Sequence, residues 1–502
     1  MAAGMSKQPG EWKSEFASRG LAFGRAGVWN KTRLGEKKSQ GSLLGSPASS
    51  ASSADDLQQW MSFPVVQAWG FINSGIGTFA TPEMVDIALN DHFELARPNF
   101  IYSGVSPSPL LFPQMSHLGH AELFEYYIHQ LCPRTTASSK GISPFSSLIL
   151  PFSISASPIL FKAIQALGAC HLSRGSSSYA ALALRLKSET LRDLRARLSS
   201  EGVSTCSADP EILIVIMMLC LYEIADKCDH NWTTHLKGAK DLIRIRRQNA
   251  LVLSKPVEAL DPVSDFAEHF FAFQDVMGRT ACGEEVLFGS DYWQATDQRI
   301  DLWMGCSPEL VSILASITEM SRVRRLLDSN AARESFASRA ALLEHRLDNL
   351  VQEIDGDEDD ETLLSAAEAK RLAAVIYLHC ALFEASPTTP LVVEYVRKIL
   401  QIVSRLLEQG ALASVTWPVF VAAVELDPGN DVVPSDSGSG RSIVLRALDM
   451  MTHSATSNIT RTRAVIVQVW QARDQSLLKA PQMPCNDWEW YVAPISTAMT
   501  LA

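Results

Sequence analysis

The chain has 502 residues, 47% of them hydrophobic, and a formal net charge of −11 at pH 7. That is apolar material for one very large or two ordinary cores, and the acidic balance excludes nucleic-acid binding through a general electrostatic footprint. No run of about 18 apolar residues occurs, which argues against a membrane span, and Met1 to Gly24 carries scattered charge with no apolar run, so no signal peptide is expected.

The charge is unevenly placed. Residues 1–50 carry eight Lys+Arg against three Asp+Glu, and the remainder 36 against 52. Residues 1–58, ending in SQGSLLGSPASSASSADD, read as a disordered basic head and linker. Residues 59–118 read as a variable linker with a short helix near 82–90 and a Pro-rich stretch from Pro98 to Pro113.

From residue 119 to 492 the expectation is helix throughout. Glu122 to Leu131 forms a helix bearing Leu123, Tyr126, Tyr127 and Gln130. Ser157-Pro158 supplies an acceptor and a proline at the first helical position, followed by the stripe Leu160, Ala163, Ile164, Leu167 and Cys170. Ser178 to Leu198 places Leu184, Leu191, Leu194 and Leu198 on one face and Arg192, Arg195 and Arg197 on the other.

Asp209-Pro210 opens the central helix, apolar at every position from Ile212 to Tyr222, too short to cross a bilayer and therefore buried on all sides. After a polar break at Asp226 to Asn231, Trp232, Leu236, Ala239, Leu242 and Ile243 define an amphipathic partner, with Lys237, Lys240, Arg244, Arg246 and Arg247 off the stripe. The two form a helical hairpin.

Further helices are expected over residues 263–281 (Phe266, Phe270, Phe271, Phe273), from Ser307-Pro308 to Arg325, and over 331–351, 362–385, 391–409, 414–425, 442–451 and 460–474. The acidic run Glu353 to Glu361 and the Gly/Ser stretch Pro434 to Arg441 read as loops. Strand alternation is almost absent, so the fold class is all-α, one large multi-helix domain preceded by a disordered Ser/Gly-rich head.

Catalytic and ligand chemistry finds little support. Nine cysteines, widely spaced, with none in a C-x-x-C pair, read as small core residues of a reducing compartment. Cys228, His230 and His235 lie close in sequence, but the second half of a zinc knuckle is missing and their spacing does not bring them to one helix face. Gly438-Ser439-Gly440 has no strand before it, and no phosphate-cradling glycine loop occurs. We therefore expect no catalytic, cofactor-binding or metal residues, and no enzyme. The phenylalanines at 266–273 suit a small-molecule pocket or core, and helical periodicity favours core.

Several short signatures, in order, carry a resemblance: the Tyr126-Tyr127 helix; Cys220-Leu221-Tyr222-Glu223; Trp232 with His235-Leu236-Lys237-Gly238-Ala239; FFAFQDVMGRTACGE from Phe270; Gly305-Cys306 leading to Glu309-Leu310; Trp417-Pro418; and Trp470 with Asp487-Trp488. Together they resemble the regulatory domain of fungal zinc-cluster transcription factors. The resemblance implies a nuclear transcription regulator controlling a metabolic or secondary-metabolite gene set, sometimes through a small-molecule effector. In that family a cluster of six cysteines binds zinc and DNA upstream, whereas residues 1–58 hold no cysteine. Two mechanisms follow: association with a DNA-binding transcription factor through an apolar face such as Leu184–Leu198, or a cluster encoded further upstream. The competing expectation is a non-transcriptional helical scaffold or sequestering protein.

Overall fold

In the computed structural model, residues 120–136, 138, 141–228, 230–252, 261–282, 286–289, 292–293, 297–324, 327, 329–354, 360–427, 429, 439–454, 459–478 and 499–501 are described. The expected head over 1–58, the linker with its helix near 82–90, the middle of the acidic run, most of the Gly/Ser loop and the Asp487-Trp488 pair lie outside them.

Helices begin where the sequence supplies an acceptor and a proline together. Ser157 accepts from the Ile159 N–H, Asp209 from the Glu211 N–H at 2.9 Å, and Ser307 from the Leu310 N–H, with Pro158, Pro210 and Pro308 opening the respective helices. In chain order the helices are α1 (Ala121–Tyr126), which continues as a π-helical turn Tyr127–Leu131, α2 (Leu150–Ser155), α3 (Pro158–Ser173), α4 (Ala180–Glu201), α5 (Val203–Ser207), α6 (Pro210–Asp226), α7 (Asn231–Val252) and α8 (Pro262–Cys282). There follow α9 (Pro308–Arg324), α10 (Asn330–Asp348), α11 (Glu361–Phe383), α12 (Pro390–Gln409), α13 (Thr416–Val424), α14 (Gly440–Ser454) and α15 (Ile459–Leu478). Among the described residues the only β pairing is two isolated bridges, Arg299 with Glu353 and Asp301 with Cys306. The fold is all-α.

Helix α6 is the axis of the first half. Every residue from Glu211 to Ala225 is buried, and α3, α4, α5, α7 and α8 pack around it. Helix α11 has the same role in the second half, touching α9, α10, α12 and α13. Helix α8 joins the halves by packing on α6 and α7 at one side and on α9 at the other. Helix α13, apolar at all but its first position, is buried at every residue.

The hairpin expected at 209–247 is present, and its family-like residues touch one another. The Cys220 thiol donates to the Trp232 carbonyl at 3.8 Å, and His235 faces Glu223 at 3.7 Å. Trp232 lies over Gly278 of α8, where an added Cβ would sit 2.5 Å from its ring. The α6–α7 hairpin and α8 are therefore locked by one tryptophan and one glycine.

One expectation needs correction, and two others gain detail. Leu184 is 41% exposed, while the buried stripe of α4 runs through Ala183, Leu186, Thr190, Leu191, Leu194 and Leu198. At about 100° per residue Leu184 stands roughly a quarter turn from the middle of that stripe. Leu191, Leu194 and Leu198 are inside the core, so the 184–198 face offers no continuous apolar surface to a partner. Arg197 and Arg246 do not simply face solvent: Arg197 meets Asp209 and Glu211, and Arg246 meets the fully buried Glu268 of α8. Finally, the ends of the acidic run are tied down. Glu353 exchanges backbone bonds with Gln298 and Ile300, and the buried Asp360 caps α11 at the Leu363 N–H.

Candidate functional site

The site begins with a lysine inside a helix of small residues. Around Lys370 the sequence places Leu363, Ala366, Ala367, Ala373, Ala374 and Tyr377 at three-, four- and seven-residue offsets, which is one helix face. All are buried, and Lys370 is buried with them at 3% exposure. A lysine ammonium there must find acceptors or lose its charge. It donates to the Met304 carbonyl and to Ser414 Oγ. It has no ion-pair partner among the described residues. Burial pushes this ammonium below its ordinary value, with the fields of Cys306 and Asp301 acting the other way.

Both acceptors are presented by tight local structure. The Asp301 carboxylate accepts from the Trp303 and Met304 N–H groups at 2.8 and 2.7 Å. Gly305, at φ 61°, closes the turn by donating to the Asp301 carbonyl at 2.8 Å. A side chain at Gly305 would be strained in that left-handed conformation. The Met304 carbonyl is thereby fixed toward α11. Ser414, just before α13, sits at φ 64° without being glycine, a conformation that serine adopts at a cost on the order of 1 kcal/mol. Its hydroxyl is within hydrogen-bond reach of both Lys370 Nζ and the Met304 carbonyl.

Lys370 lines a cavity of about 60 Å³ where the two halves of the domain meet. Leu221 and Ile224 come from α6, Phe273 and Met277 from α8, Phe145 from the turn before α2, and Trp303 from the loop before α9. The Trp303 ring is held by Phe273, 5.0 Å away edge-on, and by Phe270 at 5.2 Å. A second cation, Arg134, stands at the rim. It donates to Gln130 Oε1 at 3.1 Å and has no carboxylate partner among the described residues. Thr500 donates through its hydroxyl to Gln274 Oε1 at 3.1 Å, and the neighbouring Leu501 completes the wall.

The residues singled out from sequence fall differently. His230 is exposed, His235 is buried against Glu223, and Cys228 accepts from the Thr500 N–H at 3.4 Å, so the three do not converge. Among the described residues no group of three or more His, Cys, Asp or Glu is placed to hold a metal. Of the phenylalanines in α8, Phe266, Phe270 and Phe271 are core and Phe273 alone lines the cavity. Sequence reasoning missed Lys370. Its signal was present: a lone lysine in the middle of an alanine-rich apolar face, where position predicts burial and chemistry resists it.

A second polar group is wholly internal. The Glu223 carboxylate accepts from the Lys187 ammonium at 2.6 Å as well as facing His235. Burial pushes this carboxyl up, but the His235 bond and the Lys187 charge outweigh burial and hold it below its ordinary value. The charges of this cluster are met by its own members, while the buried His235 Nδ1 finds no hydrogen-bond partner among the described residues.

Compared with known proteins, residues 122–502 match the model of the fungal specific transcription factor domain. No curated protein and no solved structure matches the chain. No described helix is long and apolar enough to cross a membrane.

Proposed function

This chain belongs to the fungal-specific transcription factor domain family, and from that premise we propose that it is a nuclear transcription regulator that acts on DNA through a partner. The observation that carries the reading is the extent of the match, which takes in every described helix but the first residue of α1. The family is one of transcription factors and not an enzyme class. Recruitment by a DNA-binding transcription factor is supported by two features. Beyond residue 50 the chain carries 36 Lys+Arg against 52 Asp+Glu, an unfavourable balance for holding a polyanion. Residues 1–58 contain no cysteine with which to bind zinc. The regulated genes are proposed to be a metabolic or secondary-metabolite set. A small-molecule effector would act at the Lys370 cavity, which lies between the two halves of the domain and so couples to their packing.

The experiment is chromatin occupancy of the 502-residue chain, tagged at its amino terminus, in its own host. Discrete promoter peaks that disappear when a DNA-binding partner is deleted support the reading. A folded, abundant chain with no peaks, or one confined to the cytosol, sinks it in favour of a scaffolding or sequestering role.

A further inference from the structure

We propose that the Lys370 cavity binds a small organic carboxylate, its charge between Lys370 and Arg134 and its carbon end against Phe273 and Trp303. The proposal deepens the effector reading and rests on it for its regulatory consequence. Binding itself is a property of the isolated chain, so its failure and the failure of the chromatin experiment are separate results.

The charge balance of the cavity is the first ground. An ammonium offers three N–H donors. Lys370 uses two, both on neutral oxygens, at a position removed from water. An unpaired charge in such a place is destabilising, and methionine would fill the space without that penalty. The arrangement makes physical sense once an anion supplies the third acceptor. Arg134 lines the same cavity, also without a carboxylate partner among the described residues, and its planar fork suits a carboxylate better than a point charge would.

The second ground is the rest of the wall. Phe145, Leu221, Ile224, Phe273, Met277 and Trp303 line it with carbon, beside the polar Thr135, Gln274 and Thr416. Inorganic phosphate, with oxygens on all sides, would press some of them against carbon with no donor. A carboxylate with a short carbon chain matches both kinds of lining, its charge on the cations and its chain on the aromatic and aliphatic side chains. A volume of about 60 Å³ limits the enclosed part to a few non-hydrogen atoms, since one water needs about 10–15 Å³ of such space. The third ground is Ser414, held in a left-handed conformation where its hydroxyl reaches Lys370. Strain of this kind at a non-glycine residue is found where a side chain has to be aimed.

The test uses the purified full chain with sodium butyrate as probe. Butyramide, equal in shape and uncharged, inorganic phosphate, and sodium chloride at matched ionic strength are the comparisons. Thermal unfolding and calorimetric titration are the readouts. Butyrate is expected to raise the unfolding midpoint at about 50 mM, a concentration well above a millimolar Kd, while the other three do not. Arg134→Gln and Lys370→Met are each expected to weaken butyrate on the order of tenfold or more, as loss of a charged hydrogen bond does. Arg134 is half-buried, so its variant keeps the test alive should Lys370→Met fold poorly. The proposal is overturned if butyrate gives neither a shift nor heat, if butyramide or phosphate matches it, or if both variants bind butyrate as the unmodified chain does.

Discussion

The Arg473 guanidinium lies 3.4 Å from the Glu425 carboxylate, with both side chains removed from water between α13 and α15. Burial pushes the Glu425 carboxyl from 4.5 up to about 7, against the opposing pull of Arg473 and of a bond with Cys380. The native state therefore holds this proton over a range where the unfolded chain has released it. Stability from this group is full below pH 4.5 and is lost as pH rises through about 7. Glu425→Gln should abolish this part of the pH dependence, which amounts to as much as about 3 kcal/mol. Urea unfolding of both proteins at pH 5 and pH 8 checks it: the unmodified chain should weaken between the two by clearly more than the variant.

Glu223 should behave in the opposite sense. Its folded carboxyl is held below the ordinary value, so its contribution is present at neutral pH and disappears as pH falls below about 4.5. Lys187→Met removes the cation 2.6 Å away and leaves a buried carboxylate facing His235 alone. A loss of about 3–5 kcal/mol is expected at pH 7, with the acid-unfolding midpoint moved to higher pH. An unchanged acid midpoint, measured by circular dichroism, would count against the assignment.

Gly278→Ala should destabilise by about 1–3 kcal/mol, because its Cβ arrives 2.5 Å from the buried Trp232 ring. Trp232→Leu in the same chain should remove the clash, so the double variant is expected to be less unstable than the two single effects added together. Additive losses in denaturant titration would mean that the contact is not tight in solution.

Glu268→Gln should loosen α7 from α8. Glu268 is completely buried and meets Arg246 together with Arg247, the latter at 2.7 Å. Neutralising it leaves Arg246 in a largely buried position without its counter-charge, a loss of about 3–5 kcal/mol. Hydrogen exchange should quicken in 231–252 and 262–282 before it quickens in α11. Uniform acceleration across the domain would contradict a local staple.

Lys370→Met, without any ligand, should raise the unfolding midpoint, since a buried ammonium with only neutral acceptors is replaced by a side chain of similar length that needs none. A fall of more than about 2 kcal/mol would show that the two hydrogen bonds stabilise more than burial of the charge destabilises.

Most of the architecture could be read from patterns that are local. The apolar run Ile212 to Tyr222 and the pairs Ser157-Pro158, Asp209-Pro210 and Ser307-Pro308 each state a burial or a helix start within a few residues. The signatures that carry the family resemblance were also legible, and in the fold they touch one another: Cys220 with Trp232, Glu223 with His235, Trp232 with Gly278. The α4 face was misjudged because four leucines within a range of about 80° do not reveal where the core lies, and the true stripe is centred on Ala183, Thr190 and Leu194. Of the cavity, the sequence offered only Phe273 and the odd placement of Lys370. Its polar wall comes from residues such as Arg134, Lys370 and Ser414, which no periodicity connects, and it exists only through the packing of segments far apart in the chain.

That composition of the wall has a consequence for synthesis. The cavity spans Arg134 to Leu501, so its first lining residue leaves the ribosome long before its last. At 5–20 residues per second the interval is roughly 20 to 70 s. Helices α1 to α7 can bury α6 during that time, but a molecule held between Lys370 and Leu501 has to wait until both have emerged. A molecule held there would report on copies in which both halves are already in place.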